Sequence, residues 1–100
     1  MALIAGDRLC EVNGLSRVYG KDRKVKKADA NLVQNITGFS IGGVSPIAHL
    51  KKIPIFIDNS LLRFDLVYSA AGHPNCVFAS TVPELSRISG GKIKVGISKR

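Results

Sequence analysis

Two short loops carry the residue types with the most to offer chemically. The first is Gly42-Gly43-Val44-Ser45-Pro46, a Gly-x-x-x-Pro segment. Glycine lets a ligand approach the main chain, and proline fixes the exit of the loop. Peptide N–H groups turned inward there would hold a carbonyl oxygen that gains negative charge during nucleophilic attack. Ser45 adds a hydroxyl able to donate within the loop, but no base stands near it in sequence to make it a nucleophile. The second loop, Gly72-His73-Pro74-Asn75, sets two polar side chains beside a glycine and a proline. Asn75 can donate and accept, and His73 exchanges a proton near neutral pH. By spacing alone, each segment is more often an ordinary structural turn.

Other chemistries find less support. His49 and His73 are far apart, and no His, Cys, Asp or Glu spacing suggests a metal site. There is no Gly-x-Ser-x-Gly elbow, and the 42–46 segment lacks the lysine and helix of a phosphate loop. Asp58 is a candidate pocket carboxylate, although a turn residue at a strand end is the commoner role. Cys10 and Cys76 form no metal pair or redox motif and read as small buried hydrophobes in a reducing cytoplasm.

The elements that position these loops follow from periodicity and stop signals. Met1 to Ala5 reads as a strand, turning at Gly6-Asp7. Val12, Leu15, Val18 and Tyr19 share one side of a short helix over 11–19, stopped by Gly20 and weakened by Gly14. Lys24-Val25-Lys26 suits a sheet edge, and Asp29 caps a helix running to Thr37, with Gly38 ending it. Phe39 to Pro46 combines apolar residues with two glycines and a proline and reads as a strand ending in a tight, backbone-exposing loop. Ile53 to Asp58 is a buried strand with Pro54 near its start, and Leu61 to Phe64 one helical turn. Leu66 to Ala70 and Cys76 to Ser80 are strands flanking the second loop. Pro83 opens a helix that ends at Gly90-Gly91, and Lys92 to Ile97 closes as one strand. The order β-α-β-α-β-β-β-β-α-β breaks βαβ alternation in its second half, so a mixed-sheet α+β domain is expected.

One hundred residues, 45% of them hydrophobic, make one domain over 1–100. No apolar run reaches the roughly 18 residues that span a bilayer, so no membrane partner is expected. The charge of +8, from 15 basic and 7 acidic residues, is clustered at 21–27, 51–52 and 92–100. Such a field draws polyanions, most simply RNA or DNA, with a steep salt dependence. A solvated basic face is the plainer alternative. Phe39, Phe56, Phe64 and Phe78 sit in apolar contexts that suggest core packing rather than base stacking.

Taken together and in order, the motifs resemble a known family. The stretch Thr37-Gly38-Phe39-Ser40-Ile41-Gly42-Gly43-Val44-Ser45-Pro46 is similar to the signature of the YbaK/ProX (YbaK/EbsC) editing family. The run from Ile53 to Leu62, then Ala70 to Phe78, and the Pro83-Glu84-Leu85 ending fit it in turn. Gly6-Asp7-Arg8 and the 24–28 segment look like its lead-in.

The resemblance implies a barrel-like mixed sheet with flanking helices, of the kind associated with prolyl-tRNA synthetase. It implies hydrolysis of mischarged aminoacyl-tRNA in trans, alanyl- or cysteinyl-tRNA(Pro) foremost, by a cytoplasmic protein. No metal or organic cofactor is expected; the partners are tRNA and prolyl-tRNA synthetase. Gly42 to Pro46 would hold the aminoacyl carbonyl, with Gly38, Phe39, Ile41, Asp58, Gly72, His73 and Asn75 around the substrate. The family also carries a lysine on an N-terminal strand that no residue of this chain matches. A sheet incomplete at that point would expose an edge for a partner or a second copy to cover. A hydrolytically impaired module that still binds tRNA or a synthetase is the alternative.

Overall fold

A computed structural model of the chain describes residues 1–20, 25, 28–73 and 75–100. A three-stranded parallel sheet lies at its centre, in the order β1-β3-β6. Here β1 is Ala2–Leu3, β3 is Phe56–Asp58 and β6 is Lys92–Lys94. Ile57 faces Leu3 on one side and Ile93 on the other. Ile57 and Asp58 are fully buried, as the middle strand of a covered parallel sheet requires. Two antiparallel pairs complete the strands. Leu9–Cys10 (β2) pairs with Ser98–Lys99 (β7), and Val67–His73 (β4) with Cys76–Ser80 (β5). No closed barrel forms among the described residues.

The helices begin and end where side-chain chemistry allows. Helix α1, Val12–Tyr19, starts with the Glu11 carboxylate accepting from Asn13 N–H, and α2, Ala30–Thr37, starts with Asp29 accepting from Leu32 N–H. Gly38, in the left-handed region, ends α2. Helix α3, Val82–Ser89, is held by a reciprocal box: Thr81 Oγ1 accepts from Glu84 N–H, and Glu84 accepts from Thr81 N–H. Val82 and Leu85 of α3 enter the core with Ala5, Ile57, Leu61 and Val67. Each such aliphatic side chain contributes roughly 1.5–3 kcal/mol by leaving water.

Three expectations change. Residues 39–46 form no strand, because two glycines and a proline prevent a continuous ladder, and all of 39–55 is irregular. The last segment is two strands rather than one; the chain turns at Gly96, whose φ is 79°. That turn brings Ser98 back to Cys10, and β2 is too short for alternation to reveal it. Cys76 is exposed rather than buried. The expected strand at Lys24–Lys26 lies outside the described residues apart from Val25, which is in no strand.

Gly14 also acquires a reason. A β-carbon there would fall 1.7 Å from the Gly96 carbonyl oxygen, so the helix and the Gly96 turn touch backbone to backbone.

Candidate active site

The 42–46 loop is suspended from the end of α2. Thr37 Oγ1 donates to Val33 O at 2.7 Å and accepts from Phe39 N–H at 3.1 Å. Downstream, Leu50 N–H donates to Thr37 O and Lys51 N–H to Ile36 O, at 3.2 and 2.9 Å. Both ends of the irregular segment are therefore anchored on the same helical turn. Gly42, with φ of 93°, begins the loop, and Gly43, Ser45 and Pro46 are buried.

The loop's own donors divide into two groups. Gly43 N–H is committed to Ser40 O at 3.0 Å, and Ile47 N–H to Ser45 Oγ at 3.2 Å. The N–H groups of Val44 and Ser45 have no partner among the described residues. Val44 also borders two cavities. One, about 440 Å³, is apolar and lined by Tyr19, Leu32, Ile36, Ile41 and Ile53 among others. Burial there pushes the Tyr19 hydroxyl above its ordinary pKa, and its ring meets Phe56 edge-on at 4.8 Å. The other, about 200 Å³, lies between Ala2–Ile4 and Val67–Ala70, with Val44 and Pro46 on its wall. Val44 N–H, without a partner among the described residues and on a residue that lines a cleft, can donate to an oxyanion with Ser45 N–H next to it in the chain, and a buried setting strengthens each hydrogen bond they make.

The second loop meets the first through Gly72. A β-carbon on Gly72 would stand 2.9 Å from Cε1 of Phe39, so the ring occupies the space a side chain would take. At the exposed tip of the hairpin, Asn75 N–H donates to His73 Nδ1 at 3.1 Å, leaving Nε2 to carry the proton of the neutral ring. His73 and Asn75 do not border the two cavities, and Pro74 lies outside the described residues. Gly38 and Phe39 stand at the loop's entrance, and Ile41 lines the larger cavity.

Asp58 is set apart. Its Oδ2 accepts from Ser60 Oγ and, at 2.6 Å, from Ser98 Oγ, which in turn accepts from Arg8 Nε at 2.7 Å. The carboxylate is fully buried and borders neither cavity. It ties the central strand to β7.

Sequence reasoning passed over His49, whose Nε2 lies 2.5 Å from Ser45 O. Its position four residues beyond Ser45 was the available signal. Tyr68 to Ala70, on the wall of the smaller cavity, gave none.

Comparison with known proteins identifies the arrangement. Residues 1–88 match the aminoacyl-tRNA editing domain. The chain belongs to that family. This editing domain is 30% identical over 99 residues to the uncharacterized protein YwhH of Bacillus subtilis strain 168, covering 99% of the chain and 62% of YwhH. Among solved structures it is similar to a protein described as a candidate trans-editing enzyme for prolyl tRNA synthetase, with 32% identity and a TM-score of 0.83. That match covers 99% of this chain and 60% of the other. A scaffold used for computational epitope backbone grafting matches at 30% identity and a TM-score of 0.89, over 99% and 61% of the two chains. Hypothetical protein APE2540 matches at 31% and 0.85, over 98% and 63%. The editing domain thus spans about three-fifths of the length of these relatives. Among its described residues, no helix is long and apolar enough to cross a membrane.

Proposed function

We propose that this editing domain hydrolyses the ester of mischarged aminoacyl-tRNA in trans, in the cytoplasm, with alanyl- or cysteinyl-tRNA(Pro) as substrate. The observation that carries the proposal is the pair of N–H groups of Val44 and Ser45, without partners among the described residues, on a loop whose Val44 and Pro46 line the 200 Å³ cleft. The aminoacyl carbonyl oxygen accepts from them as water adds to the carbonyl carbon. The tetrahedral intermediate collapses by breaking the bond to the ribose oxygen, which takes up a proton. Free amino acid and tRNA are released. A small cleft of mixed polarity favours a small acyl group, which fits alanine or cysteine better than a bulky residue. The similarity to a candidate trans-editing enzyme for prolyl tRNA synthetase supports tRNA(Pro), and that synthetase, as partners. Gly72 and Phe39 hold the two loops together, and Asp58 secures the central strand to β7.

The test is deacylation of alanyl- and cysteinyl-tRNA(Pro) by the purified chain without added metal. Release of amino acid at a rate above the protein-free control is expected. Both substrates remaining intact would remove the hydrolytic assignment. The net charge of +8 favours a second reading: a module, alone or as a homodimer, that binds tRNA or synthetase without turnover. Salt-sensitive tRNA binding with no release of amino acid selects it.

A further inference from the structure

The geometry points to His49 as the residue that positions the 42–46 loop, holding the Ser45 carbonyl so that the loop's free N–H groups stay available. This rests on the oxyanion reading of that loop. A carbonyl oxygen only accepts, so the 2.5 Å contact requires His49 Nε2 to carry a proton and donate it. Ser45 is buried, and its carbonyl would otherwise go unsatisfied.

The chain path is bent to make this contact. Between Ser45 and His49, Ala48 adopts φ of 63°, a left-handed conformation that disfavours alanine. Ile47 N–H is drawn onto Ser45 Oγ in the same turn. The ring of Phe39 meets the imidazole edge-on at 6.3 Å, and Phe39 itself is seated on Gly72. His49 is therefore braced by both loops.

The consequence follows from donor and acceptor counting. Val44 and Ser45 present unpartnered N–H groups within two residues of the Ser45 carbonyl and hydroxyl. With His49 on the carbonyl and Ile47 N–H on the hydroxyl, both nearby acceptors are engaged. Removing the imidazole leaves a buried acceptor unsatisfied, and the loop gains a reason to rearrange until another N–H reaches it. Donors that must first be released cannot be preorganised for an oxyanion.

The experiment compares His49→Ala, His49→Gln and the native chain. Gln keeps an N–H donor at a similar reach and cannot serve as a proton acceptor at the ring. On mischarged tRNA(Pro), we expect His49→Ala to lower kcat by about 10- to 100-fold with KM little changed, and His49→Gln to recover most of it. A His49→Gln variant as inactive as His49→Ala overturns the positioning role in favour of proton transfer. Nitrogen-15 spectra supply a readout that needs no activity. The native protein should show His49 protonated on Nε2, and His49→Ala should displace the amide resonances of residues 42–46, with His49→Gln restoring them. A proton found only on Nδ1 in the native protein, or unmoved loop resonances in a folded His49→Ala, overturns the proposal. If the native chain leaves both substrates intact, the hydrolytic reading fails by itself, and the spectra still decide the role of His49.

Discussion

The Phe39 ring rests where a side chain on Gly72 would begin, its Cε1 only 2.9 Å from that point. Through this contact the β4–β5 hairpin bears on the approach to the Gly42–Pro46 loop. Gly72→Ala must push the ring aside and also holds alanine at φ of 97°. A displacement near 1 Å at the site is expected to lower hydrolysis by about 100-fold. Steady-state deacylation alongside a thermal melt checks this; unchanged turnover would show that the two loops are independent.

Gly42→Val addresses the loop directly. Valine at φ of 93° is strained by about 1–2 kcal/mol, which the loop relieves only by moving its main chain. Hydrolysis should fall below detection while the cooperative unfolding transition persists. Activity in a folded Gly42→Val protein would remove the loop from the mechanism.

Gly14→Ala sets two effects against each other. Helix propensity favours alanine by about 1 kcal/mol. Overpacking against a neighbour that cannot retreat costs about 1–3 kcal/mol, and the neighbour here is the Gly96 carbonyl, 1.7 Å from the new carbon. The clash wins. A lower urea midpoint is expected, with α1 and the β2–β7 pair affected together.

Arg63 Nη2 lies 2.9 Å from Asp7 Oδ1, and both side chains are largely exposed. The hydrogen bond from Arg63, and then its charge, lower the Asp7 pKa from its ordinary 3.8. A carboxylate with a depressed folded-state pKa stabilises the fold above 3.8 and loses that contribution as pH falls through the folded value. Asp7→Asn should therefore be slightly less stable than the native chain at neutral pH. The gap should narrow in acid and in high salt, as denaturant titrations at several pH values would record.

Lys51 and Lys52 are exposed and leave the loop segment beside the end of α2. If they meet tRNA phosphates, replacing both with alanine should weaken binding and flatten the salt dependence by about 0.7–0.9 in log–log slope per lost contact. Filter binding across a salt series measures it. An unchanged slope would assign tRNA contact to another basic cluster.

Local signals were the legible part of this chain. Asp29 and Gly38 bound α2 because a carboxylate cap and a left-handed stop act within a few residues. The Gly-x-x-x-Pro loop stood out for the same reason. What escaped was set by distant partners: β2 exists because Ser98 returns to Cys10, and Gly14 is small because Gly96 arrives there. His49 escaped because its role is a contact with a carbonyl, a group every residue has, so its spacing of four from Ser45 was the sole trace it left. The expected strand within 39–46 failed because apolar residues interrupted by glycine satisfy a strand's composition without its hydrogen bonds.

The pairing of Leu9–Cys10 with Ser98–Lys99, reinforced by Glu11 N–H on Ile97 O and by Arg8 on Ser98, joins positions nearly a full chain length apart. During synthesis none of these bonds can form until residues 97–99 have left the ribosome. Until then Arg8 and the buried Asp58 carboxylate lack the serine hydroxyl that links them, so the nascent chain waits with an unfinished interior. A ribosome that stalls before residues 97–99 emerge would hold back the closure of the fold.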